Sequence, residues 1–156
     1  MSAASEPPFD LVLHGGRTFY PETGWARRDV GVRDGTIVAL EPRLERRGGE
    51  LVADVEGSIV LPGLVDLHIH GYRGATYWGL DADAASLPYG VVAYLDAGSA
   101  GAYTFAGLAD RLRTSRLHAR ALLNIAAGGL AMPHGELLAP EAADVEAAVR
   151  VARAHS

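Results

Sequence analysis

Two histidines one residue apart, His68 and His70, close the apolar stretch "LPGLVDLHIH" (61–70). On an extended strand, side chains two apart point the same way, so both imidazoles leave one face and Ile69 the other. Asp66 shares their direction, one step deeper in the strand. Adjacent neutral imidazoles suit a divalent metal ion such as zinc. The spacing alone is a weak signal, and two hydrogen-bonded core or surface histidines form the competing reading. The surroundings favour the metal: the pair ends an apolar run, follows the Pro62-Gly63 turn and precedes the glycine-rich "GYRGATYWG".

The elements that must position this pair have two textures. Residues 9–61 read as short strands and turns. "FDLVLHGG" is an apolar run closed by glycines, and "DVGVRDGTIVAL" is a hairpin pattern around Asp34-Gly35, a dipeptide suited to a type I′ turn. "ELVADVEGSIVLPG" repeats the idea around Glu56-Gly57. From residue 62 onward come near-continuous apolar runs, "GLVDLHIH", "GVVAYLD" and "ARALLNIA". Such strands are expected to be buried on both faces, as in parallel sheets. Helical patterns lie between and after them. In "AYTFAGLADRLRTS" the residues Phe105, Leu108, Ala109 and Leu112 share a face. "PEAADVEAAVRVARAH" predicts a helix opening at Pro140 with an apolar stripe of Val145, Val149 and Ala152. At most a short helix is expected near 83–87. Strand starts about 27 residues apart match the roughly 30 per unit of an eight-fold β/α barrel. The expected fold is α/β, a partial (β/α)8 barrel of three units over 62–156, preceded by a β-sandwich segment at 9–61 and a disordered tail at 1–8.

The bulk properties narrow the function classes. The chain has 156 residues, 49% hydrophobic and 21% charged, which excludes a disordered chain. A net charge of -5 gives no reason to expect nucleic acid or an anionic membrane as partner. Without cysteine there is no thiolate or disulfide chemistry. No signal peptide or membrane-spanning run is visible, so the cytoplasm is the expected compartment. Every basic residue is Arg; there is no Lys.

"VLPGLVDLHIH", preceded by "DVEGSIV", resembles the start of the amidohydrolase superfamily. "GATYWGLDAD", "GVVAYLDAGSAGAYTFAGL" and the "NIA…GEL" region are similar to its dihydroorotase-like amidohydrolase/deacetylase branch. "GVVAYLD" departs from that branch, which more often has a Thr pair before the aspartate. The resemblance implies a metal-dependent hydrolase acting on amide or ester bonds of small N-acyl compounds. It assigns His68 and His70 to a divalent ion, with zinc expected, one or two ions in a complete enzyme. It also implies a bridging lysine, two further histidines and a proton-shuttling aspartate from later strands.

Those later groups would lie past Ser156, and the lysine is absent, so no catalytic residue is expected within this chain. Catalytic zinc usually has about three protein ligands, and the motif supplies two. The chain is therefore expected to be truncated or split and inactive alone, associating with a second copy or a complementary C-terminal segment. The alternative is a non-catalytic remnant or subunit that acts by association.

Other residues have paired readings. Arg73, Ser99 and Asn124 are candidates to touch substrate. Against these stand a solvated loop Arg, a glycine-rich connecting turn, and satisfaction of buried backbone. Asp96 either orients a ligand histidine or caps the turn after its strand, and Asp66 is a plausible orienting or merely buried acid. Tyr77 and Trp78 line the pocket or pack the loop. His134 is expected at the surface, and His14, His118 and His155 are read as structural or solvent-facing, without convergent partners.

Overall fold

The computed structural model describes residues 8–45, 48–132 and 138–155. The chain divides into two compact units, Met1–Pro62 and Gly63–Ser156. The expected tail at 1–8, Pro8 apart, and His134 lie outside the described residues. Among the described residues, no helix is long and apolar enough to cross a membrane.

The first unit is one five-stranded sheet: β1 Leu11–Tyr20, β2 Gly24–Arg33, β3 Thr36–Glu41, β4 Leu51–Asp54 and β5 Ile59–Val60. The order is β3-β2-β1-β4, with β5 also on β1. Asp34 and Gly35 both take positive φ (51° and 71°), so β2 and β3 form the hairpin their sequence predicts.

Two expectations for this unit are corrected. Gly15 and Gly16 do not end β1; the register slips between Leu13 and Gly16 and the strand runs on to Tyr20. Gly16 serves close packing, since a Cβ there would lie 2.5 Å from Val60 Cγ2. The Glu56-Gly57 turn also makes no hairpin. Strands β4 and β5 both lie parallel to β1, so the turn steps the chain along β1 instead of reversing it.

The second unit holds three parallel strands in the order β6-β7-β8: β6 Leu64–Ile69, β7 Val91–Asp96 and β8 His118–Ala121. Helix α1, Ala82–Ser86, and a 3-10 turn at Leu87–Tyr89 join β6 to β7, while α2, Phe105–Thr114, joins β7 to β8. Further 3-10 turns at Gly129–Ala131 and Pro140–Ala142 precede α3, Val145–Ala154. One core cluster contains Ile69, Ala82, Tyr94 and Leu117. The other contains Ala100, Phe105 and Leu108, with Leu112 packed against both. The expected face of α2 is thus the one it buries.

The parallel strands are not buried on both faces. In β6 only Ile69 is buried, and Leu67 is 71% exposed. Val65, Val92 and Leu122 are exposed too. Strand β8 ends at Ala121, short of the expected run to 126.

Helix α3 differs in both start and face. Pro140 opens a 3-10 turn, and the α-helix begins after Asp144, whose carboxylate accepts from Ala147 N at 2.8 Å. Val145 and Val149 are exposed, while Ala147 is buried and Val151 packs against the Phe105 cluster.

Candidate metal centre

Ile69 fixes the direction of the histidine pair. Its side chain enters the core beside Tyr94, so its two neighbours face away from that core. The His68 and His70 rings stand 5.5 Å apart, edge to face at 87°. The pairing of β6 with β7 slips in register between Asp66 and Ile69, the stretch that contains His68. His68 is exposed and His70 half-buried, with the Trp78 ring 6.3 Å from His70. Among the described residues, neither His68 ring nitrogen nor His70 Nε2 has a hydrogen-bond partner.

The loop after β7 builds the rest of the site. Asp96 is fully buried and its carboxylate takes three backbone amides: Ser99 N at 2.7 Å, Gly98 N at 3.1 Å and Gly71 N at 2.8 Å. The first two make an Asx-type turn. The third holds the peptide directly after His70. Asp96 therefore fulfils the capping reading and also anchors the histidine backbone, without touching either ring.

The three candidate substrate contacts each have a partner within the protein. Ser99 is fully buried, and its Oγ lies 3.0 Å from His70 Nδ1. It meets a histidine because the Asp96 turn folds it inward. Asn124 spends its amide on the backbone, donating to Gly98 O at 3.0 Å and accepting from Ala126 N at 3.0 Å. Arg73 is exposed, 3.4 Å from Asp81, the residue that caps α1 through Ala84 N. That capping bond, ahead of the Arg73 contact, holds the Asp81 carboxyl below the usual carboxylate range. Asp66 accepts from His68 N at 3.0 Å, so it braces the strand end from the same chain. Tyr77 is 93% exposed and stacks edge-on against Trp78.

Sequence reasoning missed two partnerships. His14 lies 3.0 Å from buried Asp29, whose carboxylate also takes Gly15 N and Leu44 N. His155 packs on Phe105 at 4.9 Å. The alternation of β1 gives no hint of an acid fifteen residues away, whereas Asp96 followed by "AGS" is a readable turn signal. Among the described residues, no cluster of three or more His, Cys, Asp or Glu forms a fuller metal site. The histidine pair therefore fits part of a metal-binding set.

No family model matches the chain. A deacetylase of Agrobacterium fabrum is 34% identical over 98 residues, covering 62% of this chain and 24% of that protein. Adenine deaminase 2 of Rhizobium etli is 31% identical over 91 residues, covering 58% of this chain and 15% of that protein. The chain thus spans a quarter or less of these relatives. Among solved structures, a dihydroorotase superposes with a TM-score of 0.78 at 25% identity, covering 95% of this chain and 39% of its own. Sequence and fold together support the resemblance to an N-terminal portion of amidohydrolase superfamily proteins.

Proposed function

We propose that this chain supplies the opening, metal-holding part of a cytoplasmic hydrolase that cleaves amide or ester bonds of small acyl compounds. The observation that carries the reading is the pair of imidazoles, 5.5 Å apart, at the C-terminal end of a parallel strand. In this reading β6, β7 and β8 are the first three strands of a (β/α)8 barrel, whose C-terminal mouth is where chemistry sits. The first unit's sheet is then part of a β-sandwich. Similarity to a deacetylase, an adenine deaminase and a dihydroorotase supports hydrolysis as the reaction class.

His68 and His70 would hold a divalent ion, zinc by ligand type. When bound, such an ion would supply Lewis acidity toward an acyl carbonyl and a more acidic water. The chain's own residues bind and orient: Asp96 fixes the turn behind the histidines and Ser99 occupies one nitrogen of His70. Two protein ligands fall short of the usual three. The 156-residue chain then takes metal weakly and turns nothing over alone. Further ligands and the proton shuttle come from a complementary segment, and the exposed Val65 and Leu67 of β6 suit such a neighbour.

Cobalt(II) titration followed by visible absorption, with an N-acetyl amino acid hydrolysis assay alongside, tests the reading. Weak binding lost in His68→Ala and His70→Ala, without turnover, is the expected result. Binding unchanged in both variants would overturn it.

A further inference from the structure

Ser99 is a loop residue with no exposed surface, and its hydroxyl has His70 Nδ1 as its hydrogen-bond partner, 3.0 Å away. Both sides of this contact are anchored. On the serine side, Asp96 holds Ser99 N, and Ser99 O accepts from Leu130 N at 3.0 Å. The preceding Gly98 has φ +90°, a conformation that favours glycine. On the histidine side, His70 O accepts from Leu80 N at 2.9 Å, and the next amide, Gly71 N, is taken by the same Asp96 carboxylate. One buried acid therefore sets both the peptide that follows the ring and the hydroxyl behind it.

A serine hydroxyl can donate or accept, and a neutral imidazole carries its proton on one nitrogen only. If Oγ–H donates to Nδ1, the ring proton sits on Nε2, which then has no lone pair for a cation. If Nδ1–H donates to Oγ, Nε2 is the free donor atom. Only the second arrangement serves a metal ligand, and hydrogen bonds at the remote nitrogen commonly fix tautomer and ring orientation in such sites.

Resting on the metal-centre reading above, we propose that Ser99 is the positioning residue of His70: its hydroxyl accepts from Nδ1–H and fixes Nε2 as the nitrogen that binds a divalent cation. Ser99 touches neither substrate nor metal in this role. His68 has no equivalent brace among the described residues, so the two ligands are unequal: His70 is preset and His68 orders when the ion arrives.

The test uses the 156-residue chain with 15N-labelled histidine, titrated with zinc and read by long-range proton–nitrogen NMR. In the wild type, His70 Nε2 should take the coordinated shift while Nδ1 stays protonated. In Ser99→Ala, zinc affinity should fall about 10–100-fold, and His70 should lose its single tautomer while the amide spectrum stays folded. His68→Ala is the control: it lowers affinity but leaves the His70 tautomer in place. Coordination through His70 Nδ1, or a folded Ser99→Ala with unchanged affinity and tautomer, overturns the proposal and leaves the metal centre standing. Zinc that moves neither His68 nor His70 overturns both. Should Ser99→Ala fail to fold, the coordinating nitrogen in the wild type decides alone.

Discussion

Asp96, at the end of β7, reaches across to take the Gly71 amide at 2.8 Å, the first peptide N–H after His70. Its other oxygen serves Gly98 and Ser99. Asp96→Asn keeps an oxygen for that turn but sets an amide NH2 against Gly71 N–H, donor facing donor. With the group fully buried, the expected loss is about 2–4 kcal/mol, the cost of stranding buried polar groups. Urea denaturation measures it, and an unchanged midpoint would mean that the three bonds contribute nothing net.

Asn124 gives a second, opposite test of role. Its amide bridges Gly98 O and Ala126 N. Asn124→Asp turns a carboxylate oxygen toward the Gly98 carbonyl, so stability should fall by about 1–3 kcal/mol. A substrate-contacting residue would leave stability almost untouched. Thermal unfolding of the two proteins side by side separates these outcomes.

The histidine pair was legible because local pattern decides it: an apolar strand ending in H-x-H can send both imidazoles one way once Ile69 is committed to the core. The Asp34-Gly35 hairpin and the buried face of α2 were legible for the same reason. The Ser99–His70 contact was not legible because the two residues follow different strands, and the inward fold of Ser99 depends on the Asp96 turn. For α3, two start signals competed. Pro140 took the 3-10 turn and the Asp144 side chain won the helix cap, which rotated the buried face to Ala147 and Val151. The Gly15-Gly16 pair looked like a stop because composition does not distinguish a turn glycine from one at a strand irregularity.

Acid should weaken the first unit through Asp29. Burial pushes its carboxyl up, but the Leu44 and Gly15 amides and His14 together hold it below its ordinary value of 3.8. A carboxyl lowered in the folded state stabilises the fold above its unfolded pKa of about 3.9. That contribution fades as pH falls through the lower, folded value. Stability measured from pH 6 down to pH 2 should therefore drop below about pH 4, and Asp29→Asn should flatten that part of the curve. An identical acid profile in the variant would assign the loss to other groups.

Gly101 is where the loop after β7 has no room to yield. A Cβ there would stand 1.8 Å from Ala126 O and 2.6 Å from Ala127 C, both backbone atoms. The same stretch carries the bridge to Asn124, and Tyr103 N donates to Ala127 O at 2.8 Å. No rotamer change relieves such a contact, so Gly101→Ala should cost about 3 kcal/mol, the upper part of the overpacking range. Gly24→Ala is the matched comparison, because its Cβ meets nothing within 4 Å and only its φ of +68° opposes the change. That substitution should cost about 1–2 kcal/mol. Because Ala100 and Ser99 immediately precede Gly101 and are both fully buried, the displaced loop should also loosen the His70 contact. Zinc affinity should then fall in Gly101→Ala and hold in Gly24→Ala; equal affinity in the two would separate the packing of this loop from the placement of the histidine.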